Sequence, residues 1–337
     1  MRLVAVPCRA SYVSRVKVAV TGGTGFIGRR LVLRHLEAGD SVRVLSRRPR
    51  SAAGLPDAVE LRCGDLGSGQ SDLAGFVDGA DVLYHCAAEL RDRARMHQVH
   101  VLGTGELLGA ASGRIGRWVQ LSSVGVYGRV RSGTIDESSP IRPVGEYETT
   151  KWGAERLVAA AAARGLETVV LRPSNVFGTS MRSPGLAALT TLIKKRMFVW
   201  IGKPGAIANY IHVDNLIEAL VSCASSDRAR NGVYNLSDWR TFERVASIVA
   251  EELGVPAPCW RIPEPLARGI AWSLRAVPRF PLTATRIDAL VTRAIYDWSR
   301  IERELGYRHA VDFETALRLT VRAWHRNDRG DAVLATA

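Results

Sequence analysis

The chain of 337 residues is 47% hydrophobic and 23% charged, a balance that excludes intrinsic disorder and leaves room for one large α/β domain or a nucleotide domain with a smaller partner. Its formal charge of +13 comes from basic residues spread along the whole length, without the basic block of a nucleic-acid footprint, so an anionic substrate or cofactor is the simpler reading. No run of about eighteen apolar residues exists to span a membrane, and five cysteines without a C-x-x-C pair point to unpaired thiols in a reducing, cytoplasmic setting.

Residues 1–15 are too short and too polar for a secretory signal, because Arg2, Arg9, Ser11 and Ser14 interrupt any apolar run, and they are expected to form an extension. Val16, Val18 and Val20 then alternate as in a strand, and Gly22, Gly25 and Gly28 lead into a helix-patterned segment carrying Leu31, Val32, Leu33 and Leu36. Glycines there let the backbone turn sharply, approach a pyrophosphate and pack helix on strand, with the helix N-terminus facing the anion. A triphosphate loop is disfavoured, because Arg29-Arg30 stand where Lys and then Ser or Thr would be needed. A glycine turn that binds nothing fits the same glycines, and the segments that follow must decide.

The run Thr-Gly-Gly-Thr-Gly-Phe-Ile-Gly resembles the extended short-chain dehydrogenase/reductase superfamily, in its NAD(P)-dependent epimerase/dehydratase branch. The resemblance implies a Rossmann-type, doubly wound parallel sheet of the α/β class with a smaller C-terminal substrate domain. It also implies that Gly22, Gly25, Phe26, Ile27 and Gly28 border a dinucleotide.

Ser41 to Leu45 reads as the second strand and ends in Ser46-Arg47-Arg48, where an NAD-binding βαβ unit would carry an acidic residue for the ribose hydroxyls. Arginine there suits the 2′-phosphate of NADP, so NADP is favoured, with Arg47 as the phosphate partner and Ser46 beside it. A solvated basic turn that accepts NAD as well is the other reading. Val59 to Arg62 reads as the third strand, and by resemblance Asp65 and Leu66 after it border the adenine. Asp81 to His85 reads as the fourth, followed by Ala87-Ala88, which the resemblance places beside the pyrophosphate and nicotinamide ribose. His85 is read as structural, since no second metal ligand lies at a usable spacing, and no metal is expected. His100 stands where the family usually carries asparagine in its Asn-Val-x-Gly-Thr helix.

Arg117 to Leu121 reads as the fifth strand, followed by Ser122-Ser123, and Tyr147 and Lys151 share one helix face four residues apart. In this order, after the glycine loop and a strand-end serine, the Y-x-x-x-K pattern points to proton transfer coupled to hydride transfer. Tyr147 would exchange the proton, the Lys151 ammonium would favour its phenolate, and Ser123, matching the family's catalytic Ser/Thr, would orient the reacting oxygen. By resemblance Lys151 also holds the nicotinamide ribose. In the family's dehydratases an Asp-Glu pair follows the catalytic threonine. Here Val124 and Gly125 follow Ser123, so elimination of water is not expected.

Glu167 to Leu171 reads as the sixth strand and runs into Arg172-Pro173-Ser174-Asn175-Val176-Phe177-Gly178. By resemblance Pro173 lies at the nicotinamide carboxamide and Asn175 reaches the substrate, as does Ser123. The dinucleotide domain is placed at 16–180 and the substrate domain mainly at 181–326, with segments near 207–236 returning to the Rossmann domain and a tail from 327 to 337. His212 and Asp214 are read as bracing the two domains. Leu266, Ile270, Leu274 and Val277 recur at helical spacing among arginines, as in a lid helix with a core-facing stripe or a helix lying on a membrane surface.

These readings converge on an NAD(P)-dependent enzyme acting on a secondary alcohol or ketone. The resemblance implies a nucleotide-activated sugar as substrate, turned over by 4-epimerisation or ketoreduction. A 3-beta-hydroxysteroid dehydrogenase-like or small-ketone reductase is the second reading, and an idle NADP-sensing or RNA-associated protein the third. A homodimer is left open.

Overall fold

The computed structural model of the chain describes residues 15–180, 184–275 and 282–334, with side chains as far as 326. The alternating valines form β1 (Lys17–Thr21), and the glycine turn leads directly into α1 (Phe26–Glu37), whose Leu31 and Val32 are fully buried. The chain continues through β2 (Ser41–Ser46), α2 (Arg50–Ala53), β3 (Glu60–Cys63), α3 (Leu73–Val77) and β4 (Ala80–His85). Next come α4 (Arg93–His97), a π-helical turn (Gln98–Leu102), α5 (Gly103–Ala111) and β5 (Ile115–Leu121). A 3-10 turn (Val124–Tyr127) and β6 (Ser132–Ile135) precede α6 (Glu146–Ala162), β7 (Thr168–Pro173) and β8 (Asn175–Phe177). The remainder is α7 (Pro184–Lys194), β9 (Trp200–Ile201), β10 (Ile207–His212), α8 (Val213–Ser225), β11 (Val233–Leu236), β12 (Asp238–Thr241), α9 (Phe242–Leu253), β13 (Arg261–Ile262), α10 (Glu264–Ser273), α11 (Ala284–Val291), β14 (Arg293–Tyr296), α12 (Ser299–Leu305) and α13 (Phe313–Leu334).

Seven of these strands form one parallel sheet in the order β11-β7-β5-β4-β1-β2-β3. Helices cover both faces, which is why its central strands read as near-continuous apolar runs such as Thr168–Pro173, buried throughout. One face packs Val20, Val44, Tyr84 and Val119 against Leu31, Leu216 and Leu220, and the other packs Leu83, Trp118 and Val170 against Phe76, Leu107 and Val158. The chain winds outward from β1 in one direction and from β4 in the other, so a crevice opens between their carboxyl ends, where α/β sheets of this kind bind ligands.

A second core joins Leu186, Ile193, Trp200, Tyr210, Val245, Ile248, Leu317 and Val321. β11 lies in the main sheet, and α8 packs on α1 through the Arg30–Asp214 pair at 2.7 Å. Asp214 thus braces α8 against α1. His212 caps α8 and stands edge-on to Phe177, with ring centroids 5.3 Å apart. A parallel pair, β6 with β14, ties the segment before α6 to the C-terminal part.

The stripe expected to bury the lid helix does not do so. In α10 Leu266 is 53% exposed and the neighbouring Ala267 is fully buried against Ile287 and Val291, while Arg268 pairs with Glu264 and Asp288 at 2.8 and 2.6 Å. Val277, most of the extension and the domain boundary at 181 lie outside the described residues. α13 stays helical to Leu334, past Asn327, where a tail was expected to start. Among the described residues no helix is long and apolar enough to cross a membrane, and Cys63, Cys86, Cys223 and Cys259 are unpaired.

Candidate active site

The crevice holds a cavity of about 600 Å³ that runs from the β2 end of the sheet past β1 and β4 to β5 and β7. Gly22 makes the turn after β1 at φ 71°, and a Cβ there would stand 2.8 Å from the backbone of Ala87. A Cβ on Gly28 would fall 2.3 Å from the Gly22 carbonyl, so this glycine lets α1 close against the strand. Gly25 is the N-cap of α1, with no side-chain cap and no acidic residue in the first turn. Its unshielded N–H groups therefore present positive potential, a ready seat for a pyrophosphate. The N–H of Ala87 donates to Thr21 Oγ1 at 3.2 Å, fixing the floor of the crevice.

At the β2 end, Arg47 and Arg48 border the cavity opposite Asp65 and Leu66. Arg95 pairs with Asp65 at 2.8 Å, whereas Arg47 reaches only 3.8 Å from the same carboxylate with a side chain 55% exposed. Asp65 is thus already neutralised by Arg95, which leaves the Arg47 guanidinium available for an incoming anion. The Ser46 hydroxyl lies within hydrogen-bond distance of both the N–H and the carbonyl of Arg48, at 2.9 and 3.1 Å, so it braces the turn that carries the arginines.

At the other end, Ser123, Tyr147, Lys151, Pro173 and Asn175 line the same cavity. Ser123 leaves β5 and accepts the Gly125 N–H at 3.1 Å, which starts the 3-10 turn and holds its Oγ at the strand end. Tyr147 and Lys151 lie one turn apart on α6. The Lys151 ammonium is 3% exposed and donates to the Leu121 carbonyl, and burial pushes its pKa down to about 8. Burial, with the adjacent Glu148, pushes the Tyr147 phenol up to about 12, so it stands protonated at neutral pH. Asn175 donates to the Asn209 carbonyl at 3.1 Å.

Behind these groups lies a buried polar relay. Ser122 donates to Glu155, Glu155 pairs with Arg172, Arg172 donates to Tyr127 at 2.8 Å, and Tyr127 donates to Asn235 at 2.8 Å. It locks α6, β5, β7 and β11 together around the cavity. Among the described residues no group of three His, Cys, Asp or Glu could hold a metal.

The structure brings every site residue expected from the sequence to this one cavity, from Gly22, Gly25, Phe26, Ile27 and Gly28 through Ala87 and Ala88 to Asn175. The sequence reading missed Thr24, Glu89, Leu90 and Val176 in its walls and Arg95 behind Asp65. Thr24 could have been found, since it sits inside the glycine run, whereas nothing in the local sequence pairs Arg95 with Asp65.

Residues 18–237 match the NAD dependent epimerase/dehydratase family. The chain is 31% identical over 320 residues to the 4-hydroxy-2-methyl-3-oxo-4-farnesyl-3,4-dihydroquinoline-1-oxide ketoreductase of Stigmatella aurantiaca, covering 90% of this chain and 95% of that protein. It is 30% identical over 329 residues to a 3 beta-hydroxysteroid dehydrogenase/Delta 5-->4-isomerase of Mycobacterium tuberculosis, covering 89% and 88%. Among solved structures it is similar to DesIV, a dTDP-glucose 4,6-dehydratase from Streptomyces venezuelae with NAD and TYD bound, with a TM-score of 0.71, 25% identity, and 94% and 98% of the two chains covered.

Proposed function

Because the chain belongs to the NAD dependent epimerase/dehydratase family of NAD(P)-dependent oxidoreductases and epimerases, we propose that it is an NADP-preferring reductase or dehydrogenase of a secondary alcohol/ketone pair on a largely apolar substrate. The convergence of Ser123, Tyr147 and Lys151 on one cavity carries the reaction type. The nicotinamide, when bound, gives or takes the hydride. Its pyrophosphate would lie on the N-terminus of α1, its adenosine between Asp65-Leu66 and Ser46-Arg47, and its ribose near Lys151.

In the reducing direction Tyr147, held protonated by burial, donates its proton to the carbonyl oxygen while Ser123 donates a hydrogen bond to that same oxygen. In the oxidising direction Tyr147 takes the carbinol proton, and the Lys151 ammonium stabilises the phenolate that this requires.

The charge distribution supports an apolar substrate. Among the described residues the cationic side chains on the cavity wall are Arg47, Arg48 and Lys151, the first two at the adenosine end. Lys151, at the end with Ser123 and Asn175, is buried and donates to the Leu121 carbonyl, and among the described residues no arginine stands there to meet a second diphosphate, whereas Leu90, 66% exposed, and Val176 and Pro184 line the wall. Names of relatives at 30 and 31% identity, a hydroxysteroid dehydrogenase and a ketoreductase of a farnesylated ring, support the same class. A nucleotide-activated sugar is the second reading, favoured by the likeness to a dTDP-glucose enzyme.

The test follows NADPH oxidation by the purified protein with steroid and quinoline ketones on one side and UDP- and dTDP-4-keto-sugars on the other, with formation of the 4-epimer from UDP- and dTDP-hexoses measured alongside. Turnover confined to the ring ketones is the expected result. Turnover confined to the sugars would overturn the substrate class, and none on either panel would overturn the reaction.

A further inference from the structure

We propose that His100 is a positioning residue: its imidazole clamps the loop carrying Ala87 and Ala88 to the first turn of the helix that carries Tyr147, and so sets the spacing between cofactor floor and proton donor. The proposal rests on the reading of Tyr147 as proton donor.

His100 sits in the π-helical turn between α4 and α5, 2% exposed, and both ring nitrogens are engaged. The backbone N–H of Glu89 reaches Nε2 at 2.8 Å, and Nδ1 lies 2.8 Å from Thr150 Oγ1. A backbone N–H can only donate, so Nε2 must carry a lone pair. The ring is neutral, since burial and the nearby Lys151 ammonium push its pKa down to about 4, and its one proton therefore lies on Nδ1 and is donated to Thr150. The Thr150 hydroxyl passes its own hydrogen to the carbonyl of Glu146 or Tyr147, at 2.9 and 3.0 Å. The imidazole also stands edge-on to the Tyr147 ring, with centroids 5.7 Å apart at 83°.

The main chain of the same residue is fixed from the opposite side. Thr104 Oγ1 donates to the His100 carbonyl at 2.6 Å, which obliges His85 Nε2 to donate to Thr104 at 2.9 Å and Thr21 to donate to His85 Nδ1 at 2.7 Å. The Ala87 N–H completes this chain on Thr21. Every proton on the two imidazoles and on Thr21 and Thr104 has a single direction, so the β1 end, the β4 loop and the Tyr147 turn are joined through residue 100. The π-helical turn, with its extra residue per turn, marks the bend at which this residue meets both.

The test compares His100→Phe, which fills the space without either bond, His100→Gln, which offers one acceptor and one donor, and Thr150→Val, which removes the far end of the clamp. In His100→Phe, kcat should fall about 10-fold or more, since a misplacement of about 1 Å can cost about 100-fold. Substrate KM should stay within about twofold, and the Glu89 amide should exchange with solvent faster. His100→Gln should recover kcat to within about threefold of wild type, and Thr150→Val should share the loss without adding to it in the double variant. Wild-type kcat in either His100→Phe or Thr150→Val, or a His100→Gln as impaired as His100→Phe, would overturn the proposal. Should His100→Phe not fold, Thr150→Val and His100→Gln decide alone. Glu89 exchange reads the clamp even if Tyr147→Phe proves active, so failure of the catalytic reading is distinguishable.

Discussion

Glu155 of α6 and Arg172 of β7 form an ion pair at 2.6 Å with side chains 3% and 5% exposed. Removing one partner leaves the other charged and buried, which costs about 3–5 kcal/mol, whereas replacing both by apolar groups of similar volume is often nearly neutral. Glu155→Ala should therefore lower the urea midpoint strongly, and Glu155→Met with Arg172→Met should recover most of the loss. A fully stable Glu155→Ala would contradict the account of the relay.

Tyr147→Phe should lower turnover about 10²–10⁴-fold, the usual weight of a general acid, with NADPH affinity within about twofold. Lys151→Ala should lose both turnover and cofactor affinity. Because the Lys151 pKa lies at about 8, the ammonium is lost as pH rises through that value, and the reduction rate should fall there. Titration by fluorescence and a pH series of initial rates check the three outcomes.

NADPH should bind more tightly than NADH, and Arg47→Ala should remove about tenfold or more of that preference, as expected for one hydrogen bond to a charged group. NADH affinity should change little. Equal affinities of the two cofactors for wild type would dismiss the role of Arg47.

Stability should fall as the solution is acidified below pH about 6.5. His35, His85, His100, His212 and His309 all have pKa values lowered by burial, those of His85 and His100 to about 3 and 4. Between the folded and unfolded values the unfolded chain binds more protons, so stability rises with pH and is lost on the way down from about 6.5, the unperturbed histidine value, towards those depressed ones. Thermal melts from pH 8 to 4 should decline through that window, and His85→Asn should flatten the slope. A flat profile would mean that the histidines are not held neutral.

Elimination of water should be absent, although dehydratases share the fold. Val124 is 8% exposed in a cluster with Val126, Tyr127, Ile135 and Ala294, and Gly125 has no side chain, so neither can serve as the second acid or base. Incubation with nucleotide-hexoses should yield no 4-keto-6-deoxy product, and its accumulation would reverse the assignment.

The glycine turn, the strand-end Ser123 and the Tyr147–Lys151 spacing were legible because each is a local pattern whose geometry follows from neighbouring residues. Gathering these segments in one crevice follows from the βαβ order alone. The clamp at His100 was not legible, since Glu89, 11 residues before it, and Thr150, 50 residues after it, meet it only through packing; the sequence registered it merely as a departure from asparagine. The rotation of α10 was misread for a similar reason. Leu266, Ile270 and Leu274 have helical spacing, but it is Ala267 that packs on Ile287 and Val291 of another helix, and Leu266 and Leu274 stay exposed.

The parallel pairing of β6 with β14 joins Ser132–Ile135 to Arg293–Tyr296. A ribosome adding about 5–20 residues per second delivers β14 on the order of ten seconds after β6. Until then the segment between Ser123 and Tyr147 lacks the strand that completes its sheet. The nascent chain can close its nucleotide crevice before β14 appears, whereas the segment between Ser123 and Tyr147 gains its paired strand only once Arg293–Tyr296 has been made.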